Sequence, residues 1–178
     1  MASFAPPDEF AAAAFAKWTN TPGADSEVYL VYGGATGWLG GLLVTLLKDS
    51  GKTVHIGEAR LENREAILRD FEKFQPTRVL NAAGVTGRPN VDWCEDNKQT
   101  VIRTNIIGTL NLADICWNKE IHCTLYATGC IFEYDTAHPI GGPGFTEEDR
   151  ANFDGSFYSF TKARARERFG ARARGLPP

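Results

Sequence analysis

The sequence predicts an α/β fold, a doubly wound parallel sheet of about four strands with helices between them. Two features point to it. Short β-branched and aromatic runs alternate with amphipathic helical segments, and the first run passes directly into a glycine-rich turn that opens a helix. Length and composition agree with one domain: 178 residues, 43% hydrophobic and 23% charged, suffice for a single buried core.

Residues 1–27 read as an N-terminal extension, 28–170 as the domain and 171–178 as a tail. The extension holds Pro6, Pro7, an alanine-rich stretch from Asp8 to Trp18 and a break at Asn20 to Gly23. It lacks the basic start and long apolar core of a secretory signal, and Asp8 and Glu9 argue against a transit peptide. A frayed extension is therefore expected.

Val28 to Tyr32 reads as the first strand, followed by Gly34-x-x-Gly37-x-x-Gly40 and an apolar helical segment from Leu42 to Leu47. This is the opening of a Rossmann-type dinucleotide-binding unit. Gly34 is expected to make the tight turn, Gly37 to let backbone N–H groups approach a pyrophosphate, and Gly40 to let the helix pack on the strand. The backbone of Trp38 and Leu39 then belongs to the helix N-terminus, where unpaired N–H groups and the helix dipole favour an anion.

Asp49-Ser50-Gly51 closes that helix, and Thr53 to Ile56 forms the second strand. Cofactor choice is made past such a strand: an acid binds the adenine ribose 2′-hydroxyl, whereas an arginine accepts a 2′-phosphate. Glu58 and Arg60 offer both, a solvated loop charge being the plainer alternative for each, and Arg60 tips the reading toward NADP(H). Asn63 then caps an amphipathic helix to Phe74, with Ile67, Leu68, Phe71 and Phe74 on its inner face.

The third strand, Arg78 to Ala82, runs into Asn81, Ala82, Ala83 and Gly84, small residues that leave room for a cofactor at a strand's carboxyl end. A long helix from Asp92 to Trp117 carries Asn105, and His122 to Ala127 forms the fourth strand, which puts Thr128 and Cys130 at its carboxyl end. Tyr158 and Lys162 open the last helix, four positions apart and so on one face. A tyrosine titrates near about pH 10, and a neighbouring ammonium is expected to bring the phenol toward working range. Thr128 supplies a hydroxyl to orient a substrate oxygen beside it.

A net charge of −3 gives no reason to expect nucleic acid or an acidic membrane surface as partner. No apolar run approaches the roughly 20 residues of a membrane span. The four cysteines, Cys94, Cys116, Cys123 and Cys130, show neither a C-x-x-C pair nor zinc-finger spacing, so no metal site and reduced thiols in a cytoplasmic protein are expected.

The order Gly34-x-x-Gly37-x-x-Gly40, Asn81-Ala-Ala-Gly84, Thr128, Tyr158-x-x-x-Lys162 resembles the extended short-chain dehydrogenase/reductase superfamily. Within it, Arg60 to Arg64, Asn81 to Glu95, Ile102 to Asn105 and Ala127 to Asp135 resemble the plant-type nucleotide-rhamnose synthases, bifunctional 3,5-epimerase/4-reductases. They are also similar to bacterial dTDP-4-dehydrorhamnose reductases. The resemblance implies conversion of a UDP- or dTDP-linked 4-keto-6-deoxyglucose to the L-rhamnose nucleotide. NADPH is the implied cofactor, with NADH as the other candidate. Tyr158 and Thr128 would hold the ketone oxygen while C3 and C5 lose protons, and Tyr158 would then donate a proton as hydride reaches C4. Lys162 would sustain that donation and bind the nicotinamide ribose. Cys130 matches an epimerising cysteine of such enzymes, its alternative being a small buried thiol in a tight loop. Asn105 matches the superfamily's asparagine behind the active site, or is a helix-internal polar residue. A homodimer through the two long helices is implied by analogy.

Two departures stand against the family pattern. Gly33 makes the phosphate loop one residue longer, and the chain ends at Pro178, where family members continue with later strands and a substrate domain. Residues 163–175, ARARERFGARARG, carry Phe169 as their large apolar side chain. A truncated or altered reading frame is favoured over an ordinary surface helix. The expected sheet is accordingly a partial one with an uncovered edge and a half-clad face. A non-catalytic cofactor-binding fragment, partner to a longer homologue, is the alternative function.

Overall fold

The computed structural model describes residues 27–173; the expected extension up to residue 26 and residues 174–178 of the expected tail lie outside the described residues. In chain order the elements are β1 (Val28–Tyr32), α1 (Trp38–Asp49), β2 (Thr53–Ile56), α2 (Arg64–Phe74), β3 (Arg78–Asn81), α3 (Trp93–Asp96), α4 (Lys98–Val101), a π-helical turn (Ile102–Gly108), α5 (Thr109–Asn118), β4 (His122–Leu125), a 3₁₀ turn (Gly129–Ile131) and α6 (Phe157–Ala173). The four strands are all parallel, in the order β2-β1-β3-β4. Val31 stands level with Ile56 of β2 and Leu80 of β3, which aligns the carboxyl ends of the three strands.

Strands covered on both faces read as continuous apolar runs, and Leu30, Val31 and Tyr32 are all buried. On one face Leu30, Tyr32 and Val79 pack against Ile67 and Phe71 of α2 and Leu112, Ile115 and Cys116 of α5. On the other, Val31 and Leu80 pack against Val44 of α1. Among the described residues α1 alone clads that second face, and it leaves Trp38, Leu42 and Leu46 exposed in an i, i+4, i+8 stripe. The half-clad face and the unpaired edge of β4 are thus as expected.

Glu27, counted with the extension, is instead tied into the sheet. Its carboxylate pairs with Lys52 at 3.1 Å and Arg78 at 3.4 Å and accepts from the Tyr29 hydroxyl at 3.0 Å. Asn63 caps α2 as expected, its side chain accepting from the Ala66 N–H at 3.0 Å. Helix α1 starts a turn earlier than the apolar segment suggests, at Trp38 with Gly37 as N-cap. The single helix expected from Asp92 to Trp117 is broken. Asn97 leaves helical geometry and its amide donates to the Trp93 carbonyl at 2.9 Å, separating α3 from α4. The π-helical turn then widens the chain before α5. There Gly108 presses on Leu61, where a Cβ would come within 2.7 Å of the Leu61 Cβ.

Helix α6 packs on α5 and on the π-helical turn through small residues. Ser159, Thr161, Ala163 and Ala165 are buried while Arg164 points outward. The arginine/alanine sequence therefore has an inner face after all, made by side chains small enough for close helix approach.

The glycines of the first turn give a direct test of this packing. A Cβ on Gly40 would sit 2.2 Å from the Gly33 carbonyl oxygen, whereas one on Gly41 meets nothing within 4 Å. Gly40→Ala should cost about 1–3 kcal/mol of unfolding free energy in urea titrations. Gly41→Ala, inside the same helix, should gain about 0.5–1 kcal/mol.

Candidate active site

Three strand ends build the site, and the glycine turn after β1 sets its geometry. Gly33, not Gly34, takes the left-handed conformation, with φ +83°. A side chain there would lie 2.8 Å from the Ala82 carbonyl group and the Ala83 nitrogen. The tight-turn role expected of Gly34 therefore falls to Gly33, the residue that makes the loop longer. Gly34 instead faces the Val44 side chain, 3.0 Å from where its Cβ would be. The Gly33 carbonyl accepts from the Gly37 N–H at 3.1 Å. The first turn of α1 has neither a side-chain cap nor an acidic residue, so the N–H groups of Trp38 and Leu39 suit an anion. Trp38 itself is 81% exposed.

At the end of β3 the buried Asn81 bends the chain by accepting from the Ala83 N–H at 3.0 Å, and its Nδ2 has no partner among the described residues. Asn105, on the π-helical turn, accepts from the Val85 N–H at 2.8 Å and donates to the Val85 carbonyl at 3.0 Å. Its amide also reaches the Thr161 hydroxyl of α6 at 3.4 Å. Asn105 thus joins a helix, a strand end and α6, more than a helix-internal polar residue does. A Cβ on Gly84 would lie 3.3 Å from Asn105 Oδ1 and 3.5 Å from Lys162 Nζ, which places the lysine over the end of β3.

Past β4, Thr128 accepts from the Cys130 N–H at 3.2 Å, and the Cys130 carbonyl accepts from the Ser159 hydroxyl at 2.6 Å. This fastens the 3₁₀ turn to the start of α6. Cys130 is exposed, not the buried thiol of the plainer alternative. Tyr158 and Lys162 are each only 7% exposed. Burial pushes the Tyr158 phenol above its ordinary range, and the Thr128 hydroxyl, hydrogen-bonded to it, pulls it partly back. The ammonium expected to bring the phenol down is not among the groups that shift it; desolvation dominates. Burial pushes Lys162 below its ordinary range, with its Nζ donating to the Tyr126 carbonyl at 3.5 Å. A groove of about 1200 Å³ opens beside Thr128 along β4, lined also by Phe132, Tyr134, Phe145 and Arg166.

Thr128, Cys130, Tyr158, Lys162 and Gly84 therefore meet at one place, beside the Gly33–Gly40 turn and Asn81–Ala83. Arg60 stands apart, past the end of β2, exposed and without a partner among the described residues, while Glu58 pairs with Lys73 at 2.6 Å. Gly33, Asp70 and Ser159 were not legible as site residues. For Asp70 there was a signal, a carboxylate between Ile67 and Phe71 on an apolar helix face. It is buried and accepts from the Tyr32 hydroxyl at 3.1 Å and the Glu58 and Ala59 N–H groups at 2.9 Å. Among the described residues there is no group of three or more His, Cys, Asp or Glu side chains able to hold a metal ion. No helix among them is long and apolar enough to cross a membrane.

A parallel sheet bearing a glycine turn, an Asn-Ala-Ala-Gly strand end and a Tyr/Lys helix at its carboxyl edge is a Rossmann-like domain of the short-chain dehydrogenase/reductase type. The RmlD substrate binding domain model matches residues 28–168, and the chain belongs to that family. It is 56% identical over 149 residues to the bifunctional dTDP-4-dehydrorhamnose 3,5-epimerase/dTDP-4-dehydrorhamnose reductase of Arabidopsis thaliana, covering 83% of this chain and 49% of that protein. The structure resembles that of the L780 UDP-rhamnose synthase from Acanthamoeba polyphaga mimivirus, with TM-score 0.69 and 32% identity over 80% of this chain and 51% of that one. It also resembles a dTDP-4-dehydrorhamnose reductase of Clostridium acetobutylicum, with TM-score 0.64 and 26% identity over 79% and 48% of the two chains. The chain spans about half the length of each of these three proteins.

The buried lysine yields a pH signature. Folding weakens the hold of Lys162 on its proton, so its charge costs stability at neutral pH, and the cost fades as pH rises toward the unfolded value of 10.5. Lys162→Met should be the more stable protein in urea at about pH 7, with the gap to wild type narrowing as pH rises and closing only above about pH 10.5.

Proposed function

We propose that this chain supplies the cofactor-binding and proton-transferring half of a nucleotide-sugar epimerase/reductase. Its substrate would be a UDP- or dTDP-linked 4-keto-6-deoxyglucose, its product the L-rhamnose nucleotide, and its cofactor NADPH. The observation that carries the reading is the convergence of Thr128, Cys130, Tyr158 and Lys162 beside the uncapped N-terminus of α1.

The residues fit a nicotinamide dinucleotide. The first turn of α1 would hold the pyrophosphate, the orphan amide of Asn81 and the glycine surfaces of Gly37 and Gly84 border its path, and Arg60 would meet a 2′-phosphate. When bound, the cofactor supplies the hydride that reduces C4. Thr128 and Tyr158 hydrogen-bond the C4 oxygen, which stabilises the enolate left when C3 or C5 loses a proton. The exposed Cys130 thiol, two residues from Thr128, would be one of the two acid/base groups, one on each face of the sugar, that inversion at C3 and C5 requires. Tyr158, kept protonated by burial, is suited to give its proton to the C4 oxygen as the ketone is reduced. Lys162 replaces that proton and binds the nicotinamide ribose.

A homodimer through the faces of α5 and α6 and a cytoplasmic setting, in which the cysteines stay reduced, belong to the same reading. The alternative is a cofactor-binding module that works with a longer homologue. It is favoured by the exposed Trp38, Leu42 and Leu46 stripe.

Turnover of UDP-4-keto-6-deoxyglucose with NADPH by the purified chain separates the two. In the enzyme, Tyr158→Phe should lower reduction by about 10²–10⁴-fold. Cys130→Ala should abolish deuterium uptake from solvent at C3 and C5. Both variants should still quench on NADPH addition, while Gly37→Val should not. Saturable cofactor binding with no turnover and no deuterium uptake leaves the module reading.

A further inference from the structure

We propose that Lys73 sets the selectivity for a 2′-phosphorylated dinucleotide by neutralising Glu58 at the rim of the crevice. This deepens the cofactor reading above and rests on it. An acid just past β2 is the group that takes an adenosine ribose 2′-hydroxyl and repels a 2′-phosphate. Glu58 occupies that turn, two residues beyond Ile56. Left alone, its charge would work against the neighbouring Arg60.

It is not left alone. Lys73, on the last turn of α2, places Nζ 2.6 Å from Glu58 Oε1. The ammonium also lies 4.8 Å from the centre of the Phe74 ring, and Phe74 stacks on His55 of β2 at 4.7 Å. The lysine is therefore held on the strand that leads into the turn. The backbone of the turn that carries Glu58 is held from the other side. Asp70 accepts from both the Glu58 and Ala59 N–H groups at 2.9 Å and from the Tyr32 hydroxyl at 3.1 Å. With Glu58 cancelled by Lys73, the exposed guanidinium of Arg60 determines the charge that an adenosine 2′ substituent meets.

The pair is a poor candidate for a stabilising device. Its side chains are 55% and 62% exposed, and ion pairs in water contribute little to folding. What an exposed pair does control is local charge, and that acts on a phosphate within a Debye length.

The test titrates the purified chain with NADPH and NADH by tryptophan quenching, for wild type, Lys73→Gln, Lys73→Arg, Glu58→Gln and the Glu58→Gln/Lys73→Gln double variant. Lys73→Gln should lower the NADPH-to-NADH affinity ratio by about tenfold, with an effect that shrinks in high salt. Lys73→Arg and the double variant should return the ratio to that of wild type. An unchanged ratio in Lys73→Gln, in a chain that binds NADPH saturably, overturns this inference and leaves the cofactor reading standing. Binding of neither dinucleotide by folded wild type overturns both.

Discussion

The carbonyl group of Gly33 lies at the point where the strand, helix and neighbouring loop come closest. It accepts the Gly37 N–H, Gly40 passes directly over it, and the Cα of Gly33 rests on the Ala82–Ala83 peptide. No Cβ fits at any of the three glycines, and at Gly33 the positive φ adds a second reason. From this crowding follow the direction of α1, whose N-terminus is aimed across the strand ends, and the need for small residues after β3. The site is therefore a consequence of backbone approach before any side chain contributes chemistry.

Around that contact, buried polar side chains hold the loops that would otherwise be free. Asp70 fixes the turn after β2, Asn105 fixes the peptide of Val85, and Ser159 fixes the turn after β4 through the Cys130 carbonyl. Burying such groups is costly unless they are hydrogen-bonded, and each of these is bonded to backbone on a different element. Each loop that carries a candidate site residue is thus tied to a helix of the core, which keeps the residues in register with one another. Arg60 lies on the loop that Asp70 holds, with its own side chain in solvent.

Strand positions, the Asn63 cap and the convergence of Thr128, Tyr158 and Lys162 were legible because periodicity, capping chemistry and strand-end position are local properties. Three features were not. The spacing from Gly34 satisfies the glycine pattern as well as any other register, so only the backbone angle shows that Gly33 makes the turn. The segment from Asp92 to Trp117 keeps an apolar pattern throughout, so periodicity does not reveal the break at Asn97 or the π-helical turn. The inner face of α6 is built from Ala163, Ala165 and Thr161, which hydrophobic patterning scores as surface although their small size is what admits the close approach to α5.

The electrostatics of Tyr158 and Lys162 show how burial and binding divide the work. Desolvation moves the phenol up and the ammonium down, so the tyrosine keeps its proton and the lysine holds its own less firmly. An anionic dinucleotide laid along the crevice acts in the opposite sense on the lysine, because a nearby negative charge favours the ammonium. In the proposed reaction the cofactor therefore does more than carry a hydride. Its negative charge would also favour the ammonium of Lys162, which burial disfavours.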